Sequence, residues 1–229
     1  MNESTLLRRR LVEKLIKDGM IKTEGVKHAL LKVPREEFLP KMELKRCYED
    51  TPLPLPGTGQ TISAPHMCAI MLEELQLFPG LSVLEVGTGS GYNSALLAEM
   101  VTSSGKGPTG RVTTIERIGE LVDSASLNLK RLGYGDKVNV VLGDGTMGYP
   151  SGVQEEIYDR IVVTAGAPTV PRQLQIQAKD DAILLIPVGD IFSQKLTKVF
   201  KKSGGKLETK HLCDCVFVPL LGSDGHPNS

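Results

Sequence analysis

The run Val83-Leu84-Glu85-Val86-Gly87-Thr88-Gly89-Ser90-Gly91-Tyr92 decides how the rest of the chain is read. A short apolar segment carrying one acid gives way to alternating glycines. Such a pattern fits a buried strand that stops at a tight turn, where glycine lets a ligand approach the backbone. The spacing excludes a dinucleotide-binding fingerprint, which needs glycines at the first, third and sixth positions of the turn. Counted from Gly87, the third position is Gly89 but the sixth is Tyr92.

Downstream the strand rhythm repeats. Strands are expected at Val112 to Ile115, followed by Glu116, and at Val138 to Leu142, followed by Gly143-Asp144-Gly145. Two more are expected at Ile161 to Val163 and Ile183 to Ile186. Between them lie a helix around Ser94 to Val101 and another carrying Ile118, Leu121, Val122, Ala125, Leu129 and Leu132 on one stripe, closed by Gly133. This alternation predicts an α/β fold, a doubly wound, mostly parallel sheet covered on both faces. Lys195 to Phe200 and Cys213 to Val218 flank Ser203-Gly204-Gly205 and read as a C-terminal antiparallel hairpin.

Upstream, Leu7, Leu11, Val12, Leu15 and Ile16 mark one face of a helix that stops near Gly19, and a second helix spans Thr23 to Lys32, before Pro34. The proline-rich stretch Thr51 to Gly59 excludes a helix or a central strand and reads as a stiff extended loop. Pro65 opens a helix in which Met67, Met71 and Leu75 belong to the core. Residues 103–110 read as a surface-loop insertion, and the tail around Asp224-Gly225 as mobile. The chain is thus one structural domain in three stretches: N-terminal helices and loop (1–60), α/β core (61–205), C-terminal strand and tail (206–229).

Lys plus Arg and Asp plus Glu number 27 each, so the net charge is zero, and Trp is absent. Neither a broad electrostatic grip on nucleic acid nor a base-stacking platform is indicated. Four cysteines in 229 residues suggest reduced thiols in a cytoplasmic protein, and no second pair joins Cys213 and Cys215 to complete a metal site. No signal peptide opens the chain, and no apolar run approaches the ~20 residues of a membrane span.

In an open parallel sheet, ligands collect beyond the carboxyl ends of the strands. Three candidate elements fall there: the Gly87, Gly89 and Gly91 turn; Glu116, whose carboxylate suits two ribose hydroxyls; and Asp144-Gly145, suited to an adenine edge. The Glu-x-Gly-x-Gly-x-Gly pattern resembles the first motif of S-adenosylmethionine-dependent methyltransferases. Taken singly, Glu116 could be a helix cap and Asp144-Gly145 a turn; in this order at successive strand ends they point to S-adenosyl-L-methionine.

The acceptor is addressed by Gly57-Thr58-Gly59-Gln60-Thr61-Ile62-Ser63-Ala64-Pro65-His66-Met67, preceded by Tyr48 to Pro54. This segment resembles the signature of the protein-L-isoaspartate (D-aspartate) O-methyltransferases. The resemblance continues through Thr114 to Arg117, Gly143 to Gly145, Tyr158 to Ile161, Ile186 to Gly189 and Phe217 to Leu220. It implies a Rossmann-like class I methyltransferase that repairs damaged proteins. Its substrates would be isoaspartyl-containing proteins and peptides, methylated on the free α-carboxylate to an ester that closes to a succinimide. Ser63 would be the active-site hydroxyl, with Gln60, Thr61, Ile62 and His66 on the substrate side. Glu85, Gly87, Thr88, Gly89, Ser90, Glu116, Asp144 and Gly145 would hold the cofactor. Read without the resemblance, Ser63 also suits a helix N-cap and His66 a structural hydrogen-bonding role. A base-nitrogen methyltransferase would want Asn or Asp beside Pro and an aromatic after the fourth strand. Thr164-Ala165-Gly166-Ala167-Pro168 offers one hydroxyl there.

Overall fold

The structure, a computed structural model, describes residues 3–103 and 107–227. Residues 104–106 of the expected 103–110 loop, and the first two and last two of the chain, lie outside the described residues.

Helix α1 (Glu3–Lys17) buries Val12 and Leu15 but leaves Ile16 on its exposed side, so the apolar face is narrower than the sequence stripe. Helix α2 (Glu24–Lys32) starts at Thr23, whose hydroxyl accepts the Val26 N–H. The proline-rich stretch is not simply a loop. Strands β1 (Leu53–Leu55) and β2 (Gln60–Ile62) form a small antiparallel hairpin, with Leu53 opposite Ile62. Pro54 is tolerated because this two-stranded ribbon has free edges on which a missing N–H costs nothing. Helix α3 (Pro65–Leu75) places Met67, Met71 and Leu75 in the core, as expected.

The remaining elements are β3 (Ser82–Val86), α4 (Tyr92–Val101), β4 (Arg111–Glu116), α5 (Gly119–Arg131) and β5 (Val138–Leu142). They continue with β6 (Tyr158–Val163), α6 (Arg172–Gln177), β7 (Ala178–Gly189), β8 (Gln194–Lys201) and β9 (Leu207–Cys215). Among the described residues seven strands form one sheet in the order β5-β4-β3-β6-β7-β8-β9. The first five are parallel, and β8 and β9 add antiparallel. The C-terminal hairpin therefore exists, but its second strand runs over 207–215, not 213–218. Its N-terminal half is polar and exposed on the sheet edge, so no apolar alternation announced it.

Both faces of the sheet are covered. Val83 and Leu185 pack with α1 to α4 on one side, and Leu84, Val86 and Ile186 pack with Leu174 of α6 on the other. The chain leaves β3 toward β4 and β5, then returns to the opposite side of β3 as β6. The carboxyl end of β3 is thus the switch point where such sheets bind ligands.

Candidate active site

The β3–α4 turn leaves the sheet at that point. Gly87, Gly89 and Gly91 have φ of 99°, 54° and 86°. A Cβ on Gly87 would lie 2.3 Å from Thr164 Oγ1. That hydroxyl donates to the Gly87 carbonyl at 2.7 Å and so pins the turn to the end of β6. Thr88 and Ser90 are buried. The Thr88 hydroxyl meets that of Thr114 at 2.7 Å, and Ser90 Oγ accepts the Tyr92 N–H. Their side chains turn inward, so the turn presents its backbone outward.

Glu116, at the end of β4, accepts Gly89 N–H at 3.0 Å on one oxygen and Arg117 and Ile118 N–H groups at 2.9 and 3.1 Å on the other. These bonds hold the carboxylate at the wall of a cleft of about 680 Å³, bordered by Gly87, Gly89, Ile118, Gly145 and Leu220. A fixed carboxylate, glycine backbone and apolar side walls fit an adenosine bearing an amino acid.

Glu85 lies beneath the turn, not in the cleft. It is fully buried and accepts hydrogen bonds from Asn93, Thr114 and Ser94. Burial pushes its carboxyl up to about 7, against the lowering effect of those bonds. Because the folded-state value lies above the ordinary 4.5, the native protein keeps a proton that the unfolded chain releases between pH 4.5 and about 7. Glu85 therefore reduces stability progressively as pH rises through that window, by roughly 3 kcal/mol in total. Glu85→Gln should flatten this decline in thermal unfolding between pH 4.5 and 8; an undiminished slope in the variant excludes Glu85 as its source.

Asp144 is also engaged within the protein. One oxygen accepts the Thr146 N–H and hydroxyl at 2.9 and 2.6 Å, the other the Ser223 N–H at 2.7 Å. Burial alone would raise its pKa, but the bonds from Thr146 and Ser223 hold it below the ordinary carboxylate value. It does not line the cleft itself but an open recess adjoining it, with Arg117 and Gly222.

The partner of Asp144 corrects the expectation of a mobile tail. Leu220 N–H bonds to the Gly166 carbonyl, Asp224 N–H to the Thr146 hydroxyl, and the Asp224 carboxylate accepts the Arg172 N–H. Residues 218–221 form one side of the cleft. Sequence reasoning had no means to see contacts that join positions 144 and 223.

Ser63 stands between two further recesses. One, of about 670 Å³, opens beside His66, Met67, Asp214 and Phe217. The other is a narrow space lined by Ser63, Cys68, Gly87, Ser90, Tyr92 and Asn93. Ala64, not Ser63, is the N-cap of α3, and it makes no side-chain cap bond. The capping alternative for Ser63 therefore fails. His66 gives both its backbone N–H and Nδ1 to Asp50 Oδ1, each at 2.9 Å, the structural role expected of it. Gln60 lies with Thr61 on the main cleft, and Ile62 lines the narrow recess. Thr61 and Thr164 border all three spaces. The sequence marks Thr164 only as the one hydroxyl after the fourth strand and does not mark Asn93; the position of Thr164 directly after a parallel strand was the available signal for a place in the site.

A family model described as protein-L-isoaspartate(D-aspartate) O-methyltransferase matches residues 7–225. Protein-L-isoaspartate O-methyltransferases of Hyperthermus butylicus and Methanopyrus kandleri are 51% and 52% identical to this chain. The matches cover 95% of this chain in each case, and 90% and 92% of those proteins. A solved structure of a protein-L-isoaspartate O-methyltransferase from Plasmodium falciparum, in complex with S-adenosyl-L-homocysteine, superposes with a TM-score of 0.82 at 28% identity. It covers 96% of this chain and 99% of that one.

Proposed function

The chain belongs to the protein-L-isoaspartate(D-aspartate) O-methyltransferase family, a premise from which we propose how its own residues methylate the free α-carboxylate of L-isoaspartyl residues in damaged proteins. S-adenosyl-L-methionine, when bound, supplies a methyl group on a sulfonium sulfur that leaves as a neutral thioether. Glu116 receives the ribose hydroxyls, and the backbone of Gly87, Gly89 and Gly145 accepts the close approach of the nucleoside. Asp144 reads the adenine edge only from the adjoining recess, and Glu85 acts by holding the glycine turn.

The acceptor enters beside His66 and Phe217 and reaches Ser63. A carboxylate with a pKa near ~4 is already ionised at pH 7, so no general base is needed. Among the described residues His66 is committed to Asp50, which agrees with that requirement. Ser63 donates a hydrogen bond to one carboxylate oxygen and so fixes the other for attack. The β1–β2 hairpin, through Gln60 and Thr61, and the 218–221 segment shut out water. Alignment of this kind supplies roughly 7–11 kcal/mol of barrier reduction. The observation that carries the reading is Ser63 at the junction of the acceptor recess with the glycine turn. Methyl transfer to matched isoaspartyl and aspartyl peptides tests it.

The ester formed closes to a succinimide, whose hydrolysis returns some normal aspartate. The partners proposed are isoaspartyl-bearing proteins and peptides, in the cytoplasm. No helix among the described residues is long and apolar enough to cross a membrane, and the zero net charge offers nucleic acid no general attraction.

Glu116→Gln should lower cofactor affinity about ten- to a hundredfold, because charge-assisted ribose bonds worth ~1.5–3 kcal/mol are weakened. The Gly89 N–H would also face an amide that cannot satisfy both it and the Arg117 and Ile118 donors. Titration calorimetry with S-adenosyl-L-homocysteine reads this directly, and an unchanged affinity would remove Glu116 from the site.

A further inference from the structure

Arg35 is fully buried, yet among the described residues only one of its guanidinium nitrogens has a partner. Nε donates to the Cys47 carbonyl at 2.9 Å, while both Nη groups are sealed from solvent without a hydrogen bond. The adjacent acid, Glu36, is taken by Arg8 at 2.9 Å. A buried charge left in this condition favours any anion that can approach it.

The guanidinium carbon lies 5.2 Å from the centre of the Tyr92 ring. Tyr92 is the first residue of α4, and with Cys68 it walls the narrow recess between the glycine turn and Ser63. None of the residues lining that recess carries a formal charge. A charge stands behind its wall instead, Arg35 against Tyr92, while the Glu85 carboxyl lies behind Asn93, and Cys68 registers both. Burial pushes the Cys68 thiol up to about 11, with Arg35 opposing the rise and Glu85 adding to it. A neutral recess backed by a cation suits an anionic group, and the amino acid end of the cofactor carries one.

We propose that Arg35 is the positioning residue for the α-carboxylate of the cofactor's methionine part, acting from behind the wall formed by Tyr92 and Cys68. The proposal rests on the cofactor reading above. It explains why the recess lining needs no cation of its own, since a guanidinium with two uncommitted Nη groups stands directly behind Tyr92.

The test compares S-adenosyl-L-homocysteine with its decarboxylated analogue by calorimetry on the full chain. Wild type should prefer the carboxylate-bearing ligand by about tenfold or more, a difference well within calorimetric resolution. Arg35→Lys should retain most of that preference, and Arg35→Gln should bring the two ligands to near-equal affinity. Should Arg35→Gln fail to fold, the wild type suffices. Its Arg35 Nε–H resonance should move on addition of S-adenosyl-L-homocysteine and stay in place with the analogue. An undiminished preference in Arg35→Gln, or a resonance that answers both ligands alike, overturns the proposal. Failure of both ligands to bind overturns the cofactor reading itself, and the proposal with it.

Discussion

An isoaspartyl peptide incubated with labelled S-adenosyl-L-methionine should become methylated, and the same peptide with normal aspartate should react at least about a hundredfold more slowly. The two differ in which carboxyl is free and in one backbone methylene. Displacing the acceptor oxygen by as little as 1 Å from a site built for alignment can cost ~10²-fold. Ser63→Ala should leave cofactor affinity nearly unchanged, because the cleft walls around Glu116 are untouched and the narrow recess loses only one hydroxyl from its lining. Turnover of the isoaspartyl peptide should fall by roughly ten- to a hundredfold, the loss of one hydrogen bond of ~1.5–3 kcal/mol to a charged group. Mass spectrometry of both peptides, with calorimetry on the variant, reads the two effects separately. Methylation of RNA or a small amine in place of either peptide would defeat the assignment. A fully active Ser63→Ala would leave the reaction standing and remove only the role given to the hydroxyl.

Gly87→Ala is expected to damage both the fold and the cofactor site. A φ of 99° is strained for any L side chain, and the new methyl would fall 2.3 Å from Thr164 Oγ1. That hydroxyl cannot retreat without giving up its bonds to the Val86 and Gly87 carbonyls. Strain and overpacking together should lower stability by about 3 kcal/mol. Displacement of the turn that meets the ligand should cut cofactor affinity by about a hundredfold or more. Gly204→Ala provides the contrast. Its φ of 80° is also positive, but no atom lies within 4 Å of the added Cβ. Only the backbone cost of about 1 kcal/mol should appear there, with affinity unaltered. Thermal unfolding and calorimetry on the pair decide the matter. Normal binding by Gly87→Ala would mean that the turn does not meet the ligand.

The parts of the site that were legible in the sequence are those where backbone geometry restricts residue choice. Alternating glycines after Val83 to Val86 required a turn at positive φ, and Glu116 followed from the next strand's end. What was hidden depends on partners distant in sequence or on exposure. The β1–β2 hairpin has three-residue strands interrupted by proline, too short for any periodicity. Helix α6 is a single six-residue segment without a repeating stripe. The polar start of β9 faces solvent at the sheet edge, so nothing apolar marks it. Asp144 carried the expected position, yet its carboxylate answers to Ser223, and no local pattern encodes a bond across 79 residues. Nothing in the sequence marks Arg35 as buried, because arginine is rarely enclosed completely.

Thr61 and Thr164 each border the cleft proposed for the cofactor, the narrow recess and the recess proposed for the acceptor. A party wall of this kind makes the two ligands thermodynamic neighbours: whichever arrives first sets the position of a surface that the second must meet. Any factor by which bound cofactor tightens the peptide is the factor by which bound peptide tightens the cofactor.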